Sequence, residues 1–261
     1  MKDYKQVIAE RYDGERGYDG AKIPGDSLYA LHRPIGRYGL YNFSKVLSNL
    51  IHFCLSHGME KVFCSGHLQV LDIGCGNGKD TVLLREFLMP FNAQIYGMDF
   101  ARRSIEECKK RIPGIDCRYG DVVEKIPFDQ KFHIITAFVV LMHLSKEEDI
   151  VRALKNICNS LEDDGLFLWY EGYAKNHFVS DEQAESTGYS LRQMDELAYR
   201  AGMKRVFYDS FYRVVPKYGN TVYFAKKFSI PFLELCSHMF WFLPPGNYMC
   251  IYQKNKTDVD A

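Results

Sequence analysis

The chain is expected to fold as a doubly wound α/β domain, with a mostly parallel sheet and helices on both faces. Three observations lead there. Five short apolar runs alternate with segments of helical periodicity across residues 66–172. The glycine-rich stretch VLDIGCGNG, residues 70–78, follows an apolar run and precedes a helical pattern, the place where open α/β sheets bind ligands. No repeat, low-complexity segment or clear linker interrupts this alternation.

The elements follow in order. Residues 1–38 are polar and rich in Tyr, Gly and Arg; they read as irregular, with a short helix near Tyr4 to Arg11. In residues 40–58, Leu40, Phe43, Val46, Leu47, Leu50, Ile51 and Cys54 recur at helical spacing, and Gly58 suits the helix end. LQVLDIG reads as a buried strand, KDTVLLREFL as a helix and AQIYGMD as a second strand. RRSIEECKKRI is a helix stopped by Pro113-Gly114, and IDCRYGD is the third strand. KFHIITAFVVLMHL holds a long buried strand. KEEDIVRALKNICNSL is an amphipathic helix capped by Ser145, and LFLWYEG is the fifth strand. KRVFYDSFYR and YMCIYQKN supply a sixth and a last strand.

Composition narrows the function. The 261 residues suffice for one domain with an appendage. Lys+Arg and Asp+Glu both number 33, so no net field draws in nucleic acid, and a nucleic-acid partner is not expected. The opening MKDYKQVIAERYD lacks an apolar signal core, which points to the cytoplasm. The eight cysteines fall at scattered positions without a CxxC pair, so they read as reduced, mostly buried thiols, and no metal site is expected.

The glycine stretch departs from two phosphate-binding patterns. In G-x-G-x-x-G, Lys79 would occupy the last glycine, and after Gly78-Lys79 the P-loop hydroxyl is replaced by Asp80. Asp72 at the strand end suits a ligand carrying positive charge better than a pyrophosphate. Gly74, Gly76 and Gly78 allow positive φ and close approach to the backbone.

With Val70-Leu71-Asp72-Ile73-Gly74-Cys75-Gly76-Asn77-Gly78, the chain resembles the class I S-adenosylmethionine-dependent methyltransferases. The resemblance covers residues 66–172 and extends toward 255. It implies a seven-stranded sheet, an N-terminal helical lid and an insertion before the last strand. It divides the chain into a lid and helix at 1–65, a cofactor-binding domain at 66–255 and a tail at 256–261. The implied cofactor is S-adenosyl-L-methionine, leaving S-adenosyl-L-homocysteine. Asp72, Gly74, Cys75, Gly76 and Gly78 would line it. Asp99 would take the ribose hydroxyls and Asp121 the adenine amino group, with Val122 offering a backbone N–H. Phe100 would stack near the adenine or belong to the core, and Phe138 or Val139 would wall the methionine part.

His143 in VVLMHL is the first candidate for a general base, set against a packed or capping histidine; Glu171 and His177 are further candidates. The acceptor is read as a small molecule or glycan, methylated at oxygen, with lipid or nitrogen acceptors and a non-catalytic cofactor-binding scaffold as alternatives. Two segments would choose it. One is the Tyr- and Arg-rich residues 1–38, with Arg11, Arg16, Arg33 and Arg37 among five tyrosines, and Tyr41 just beyond. The other is the apolar stretch 228–243, preceded by Lys226-Lys227. It reads as a core helix, a dimer face, a cover for the substrate, or a membrane-surface contact. Monomer and homodimer are both compatible.

Overall fold

The structure is a computed structural model that describes residues 34–64, 66–172, 188–211 and 229–255. Its seven strands are β1 (Gln69–Ile73), β2 (Gln94–Asp99), β3 (Asp116–Tyr119), β4 (Phe132–Phe138), β5 (Leu161–Gly172), β6 (Met203–Phe211) and β7 (Asn247–Lys254). They form one sheet in the order β3-β2-β1-β4-β5-β7-β6. Strands β1 to β5 pair in parallel, and β7 runs antiparallel between β5 and β6. The chain winds outward from β1 through β2 to β3, then restarts at β4 on the other side. The crevice of such a sheet opens at that reversal, above the carboxyl ends of β1 and β4.

Burial on both faces explains the unbroken apolar runs. Val70 and Leu71 are neighbours in β1, yet they enter different cores because successive side chains point to opposite faces. Val70 packs beneath helices α1 (Pro34–Ser56), α2 (Glu60–Cys64) and α3 (Lys79–Leu88), with Phe43, Leu47, Leu50 and Leu84. Leu71 faces helices α5 (Glu147–Ser160) and α6 (Leu191–Arg200), through Ile150, Leu154 and Met194. Helix α4 (Arg102–Arg111) brings Ile105 and Cys108 to a small separate cluster with Cys75 and Cys117.

Several boundaries differ from expectation. Helix α1 begins at Pro34, six residues before its apolar stripe. Proline is compatible with a first helical turn, and periodicity cannot register a turn that lies before the stripe. Helix α5 is entered through Lys146 without a side-chain cap, not through Ser145; Glu147, Glu148 and Asp149 meet its positive end instead. Strand β5 starts at Leu161, because a register shift between Phe132 and Ile134 accommodates Asp163, Asp164 and Gly165. Helix α6 has no counterpart among the predicted elements, although Ser190 and Gln193 close a reciprocal capping box at its start.

The apolar stretch forms helix α7 (Ile230–Met239) and a turn, and it is not a core helix. Leu233 is buried, and Glu234 pairs with Lys45 of α1 at 2.8 Å. Phe232, Leu235, Met239, Phe240, Trp241, Phe242 and Leu243 are all exposed, Trp241 at 73%. A helix ten residues long with its apolar side chains turned outward has too little inward surface to be drawn into the sheet. Among the described residues, no helix is long and apolar enough to cross a membrane. Most of the expected Tyr- and Arg-rich lid, residues 1–33, lies outside the described residues.

Candidate active site

The glycine turn leaves β1 and enters α3 through three left-handed residues: Gly74 at φ +68, Gly76 at +52 and Gly78 at +81. Gly74 is further constrained by space. A Cβ there would lie 2.4 Å from Cγ2 of Val140, just beyond β4. The amides of this turn are used inside the protein. Gly74 and Cys75 donate to the Met98 carbonyl at 2.8 and 3.1 Å, and Gly78 donates to the Cys75 carbonyl at 2.9 Å. Gly76 donates to Oδ2 of Asp99 at 2.9 Å. The turn therefore offers a ligand side-chain-free backbone more than hydrogen-bond donors.

Asp72 does not face the cleft as expected. It is 2% exposed, and both its oxygens serve hydroxyls: Thr81 of α3 donates to Oδ2 at 2.6 Å and Thr136 of β4 to Oδ1 at 2.9 Å. Burial pushes its carboxyl up to about 7, against the pull of these two donors. Asp72 thus ties strand, helix and neighbouring strand beneath the turn.

Asp99 and Asp121 do stand after adjacent strands. Asp99 ends β2 and is half-buried; beside the Gly76 amide it accepts the Ala101 amide on Oδ1 at 2.8 Å, opening α4. Asp121 follows β3 and accepts the Val123 amide at 2.8 Å. Asn156 of α5 donates to the carbonyls of Val122 and Val123 at 2.8 and 3.1 Å, fixing the turn that carries Val122. These are short Asx-type turns, which fix the direction of the two carboxylates. Phe100 is half-buried and packs on the larger core.

Phe138 turns away from the expected methionine wall: its ring meets Phe43 of α1 edge-on at 4.8 Å, and it belongs to the core under that helix. The next residues, Val139 and Val140, are half-buried: Val139 packs on the edge of the same core, and Val140 lies against Gly74 of the turn. Val139 adopts φ +59, a sparse region for a β-branched residue, while its amide donates to the Tyr170 carbonyl at 2.8 Å. Cys75 is also turned away: its side chain is buried with Cys108 and Cys117 on the helix side of the sheet, so only its backbone belongs to the turn. The eight cysteines are therefore not all scattered, since three converge from β3, α4 and the turn.

His143 closes a single 3₁₀ turn, Leu141–His143, at the end of the same crevice, and it is half-buried. Two residues from later in the chain hold that turn. Buried Glu171 accepts the Met142 amide at 3.0 Å, and buried Tyr189 donates to the Leu141 carbonyl at 3.1 Å. Glu171 also accepts from the Trp169 indole, so it is a support for the turn and not an exposed base. Tyr189, Thr81, Thr136 and Val140 were not among the expected site residues. None carries a motif; Thr136, Val140 and Tyr189 acquire their roles from partners far away in sequence, and Thr81 from Asp72 across the glycine turn. His177 lies outside the described residues.

Comparison with known proteins agrees with this geometry. Residues 70–165 match the family described as "Methyltransferase domain". A phthiotriol/phenolphthiotriol dimycocerosates methyltransferase of Mycobacterium tuberculosis is 29% identical over 159 residues, 60% of this chain and 57% of that protein. A ubiquinone biosynthesis O-methyltransferase of Bradyrhizobium diazoefficiens is 36% identical over 109 residues, 40% of each chain. This chain thus spans little more than half the length of the mycobacterial relatives it matches. The fold is similar to that of a magnesium protoporphyrin IX methyltransferase from Synechocystis, at TM-score 0.61 and 11% identity, over 97% of this chain and 98% of the other. It is also similar to that of an S-adenosylmethionine-dependent methyltransferase from Clostridium acetobutylicum, at TM-score 0.55 and 13% identity, over 81% and 92%. With the strand order, the glycine turn and the acids after β2 and β3 in place, residues 70–165 carry a methyltransferase domain and the sheet has the class I S-adenosylmethionine-dependent methyltransferase fold.

Proposed function

We propose that this protein binds S-adenosyl-L-methionine above β1 and β2 and transfers its methyl group to an oxygen of an apolar small molecule, releasing S-adenosyl-L-homocysteine. The observation that carries the reading is the closure of the glycine turn by Asp99, with Gly76 at 2.9 Å. It puts a carboxylate beside bare backbone at a strand end, which suits a ribose diol lying against the turn. Asp121 and Val122 would hold the adenine edge, with Phe100 beside them. Gly74, Val139 and Val140 would border the methionine end.

When bound, the cofactor supplies a methyl carbon already activated by its sulfonium. The chain has to hold the acceptor in line, exclude water and take up a proton. His143 would take the last task, as a general base whose backbone is fixed through Glu171 and Tyr189. Two relatives support an apolar acceptor and oxygen as the atom: one is a phthiotriol/phenolphthiotriol dimycocerosates methyltransferase, and the other is an O-methyltransferase of ubiquinone biosynthesis.

Calorimetric titration with S-adenosylmethionine and S-adenosylhomocysteine, beside NAD and ATP, tests the cofactor. Binding of the first pair alone is expected; preference for either nucleotide overturns the reading. Labelled cofactor offered with long-chain alcohols, quinols and sugars then tests the acceptor. Cofactor binding with no transfer to any of these returns the protein to a scaffold role.

A specific observation favours one addition. Exposed Phe232, Leu235, Met239, Phe240, Trp241 and Phe242 lie together in sequence behind Lys226-Lys227, a combination suited to an anionic lipid surface. Co-sedimentation with anionic vesicles should be lost in Trp241→Asp/Phe242→Asp. Unchanged sedimentation of that variant removes membrane contact from the proposal.

A further inference from the structure

The thiols of Cys75, Cys108 and Cys117 come from three separate elements, and their sulfurs all lie within 4.8 Å of one another. Cys108 and Cys117 are 3.2 Å apart. All three side chains are buried. Around them sit Ile105 and Ile112, with Val82 and Ile115 at the border, so the pocket is apolar apart from its sulfurs.

Glycines keep the space open. Gly97 lies inside β2, where glycine weakens a strand and often marks close approach of another group. A Cβ there would stand 2.6 Å from the Cys117 sulfur and 3.0 Å from the Cys75 sulfur. A Cβ on Gly78 would stand 3.0 Å from the Cys108 sulfur. The glycine motif accounts for Gly78, but nothing in it accounts for Gly97.

We propose that Cys75, Cys108 and Cys117 form a three-sulfur site for a soft, thiophilic metal ion, with monovalent copper as the best fit. Three equal metal–sulfur bonds of about 2.3 Å place the sulfurs about 4.0 Å apart in a trigonal plane. The observed spacings, 3.2 Å at one edge and at most 4.8 Å elsewhere, bracket that value. Among the described residues no fourth His, Cys, Asp or Glu joins the group, and Asp72 is occupied by Thr81 and Thr136. Zinc takes four ligands in structural sites, whereas thiolates in a dry site select monovalent copper without demanding a fourth.

Binding exchanges three protons for one ion, with no change of oxidation state, and leaves two negative charges. Lys109 and Arg111 on α4 supply compensating positive charge near Cys108. The ion would pin the glycine turn to β3 and α4, directly behind the surface assigned to the cofactor.

The test is an anaerobic titration of the full, reduced protein with monovalent copper against a chromophoric copper chelator, without S-adenosylmethionine. Its outcome is independent of methyl transfer. One bound equivalent is expected. Cys108→Ser and Cys75→Ser should each weaken it at least about 100-fold, because one of three sulfur ligands is lost. Exposed Cys64→Ser should leave it unchanged. X-ray absorption of the bound copper should show three sulfur neighbours. The proposal is overturned if no equivalent binds, if binding follows Cys64 instead, or if copper in the wild-type protein has two sulfurs or nitrogen and oxygen neighbours. The absorption measurement keeps the test decisive should a serine variant fail to fold.

Discussion

The Asp72 carboxylate accepts the Thr81 hydroxyl at 2.6 Å, joining β1 to the first turn of α3 across the glycine turn. With Thr136 on its other oxygen, it is a buried strut beneath the turn.

Its ionisation should therefore appear in stability. Burial raises the Asp72 carboxyl from 3.8 to about 7 in the folded state, so folding takes up a proton between those values. This contribution to stability is fully present below the unfolded value and is lost as pH rises through about 7. Asp72→Asn should gain stability relative to wild type when denaturant midpoints at about pH 5 and about pH 8 are compared. A relative loss over that interval contradicts the assignment.

Asp99 is expected to matter for both folding and binding. Asp99→Ala removes the partners of the Gly76 and Ala101 amides together with the acceptor proposed for the ribose. Each charge-assisted bond lost costs about 1.5–3 kcal/mol. Calorimetry should show S-adenosylmethionine affinity falling at least tenfold, by about 1.4 kcal/mol or more. Unaltered affinity would dismiss the ribose role.

Gly74→Ala should damage the turn through two separable effects. The left-handed φ of +68 costs a non-glycine residue about 1–2 kcal/mol. The clash with Val140 adds about 1–3 kcal/mol. Adding Val140→Ala should recover only the second part in thermal unfolding. Full recovery would show that φ is not limiting.

His143→Ala should slow turnover by about 10²–10⁴ if the imidazole takes the acceptor's proton. Cofactor affinity should stay close to wild type, since the backbone of the turn is held by Glu171 and Tyr189. Full turnover would make His143 a packing residue.

Much of this was written in adjacent residues. The apolar runs and their intervening helical periods foretell a doubly wound sheet, and helix α3 falls on KDTVLLREFL as read. Local chemistry also marks the glycine turn, because three left-handed residues in five call for glycine wherever the chain sits. Asp99 and Asp121 were legible for the same reason: strand ends followed by Asx turns are short-range features.

Tertiary structure alone decided which way several side chains face. Asp72 turns inward because Thr136, 64 residues away, arrives on the neighbouring strand. Phe138 is claimed by Phe43 of α1, which leaves Val140 against Gly74 of the turn. Three cysteines without a shared motif meet because parallel pairing of β1, β2 and β3 stacks their ends beside α4. The apolar 228–243 stretch could be core or surface by composition; only the docking of Glu234 on Lys45 leaves Trp241 outside. Period and turn chemistry act within a few residues, whereas burial is settled between elements by which surfaces fill the same space.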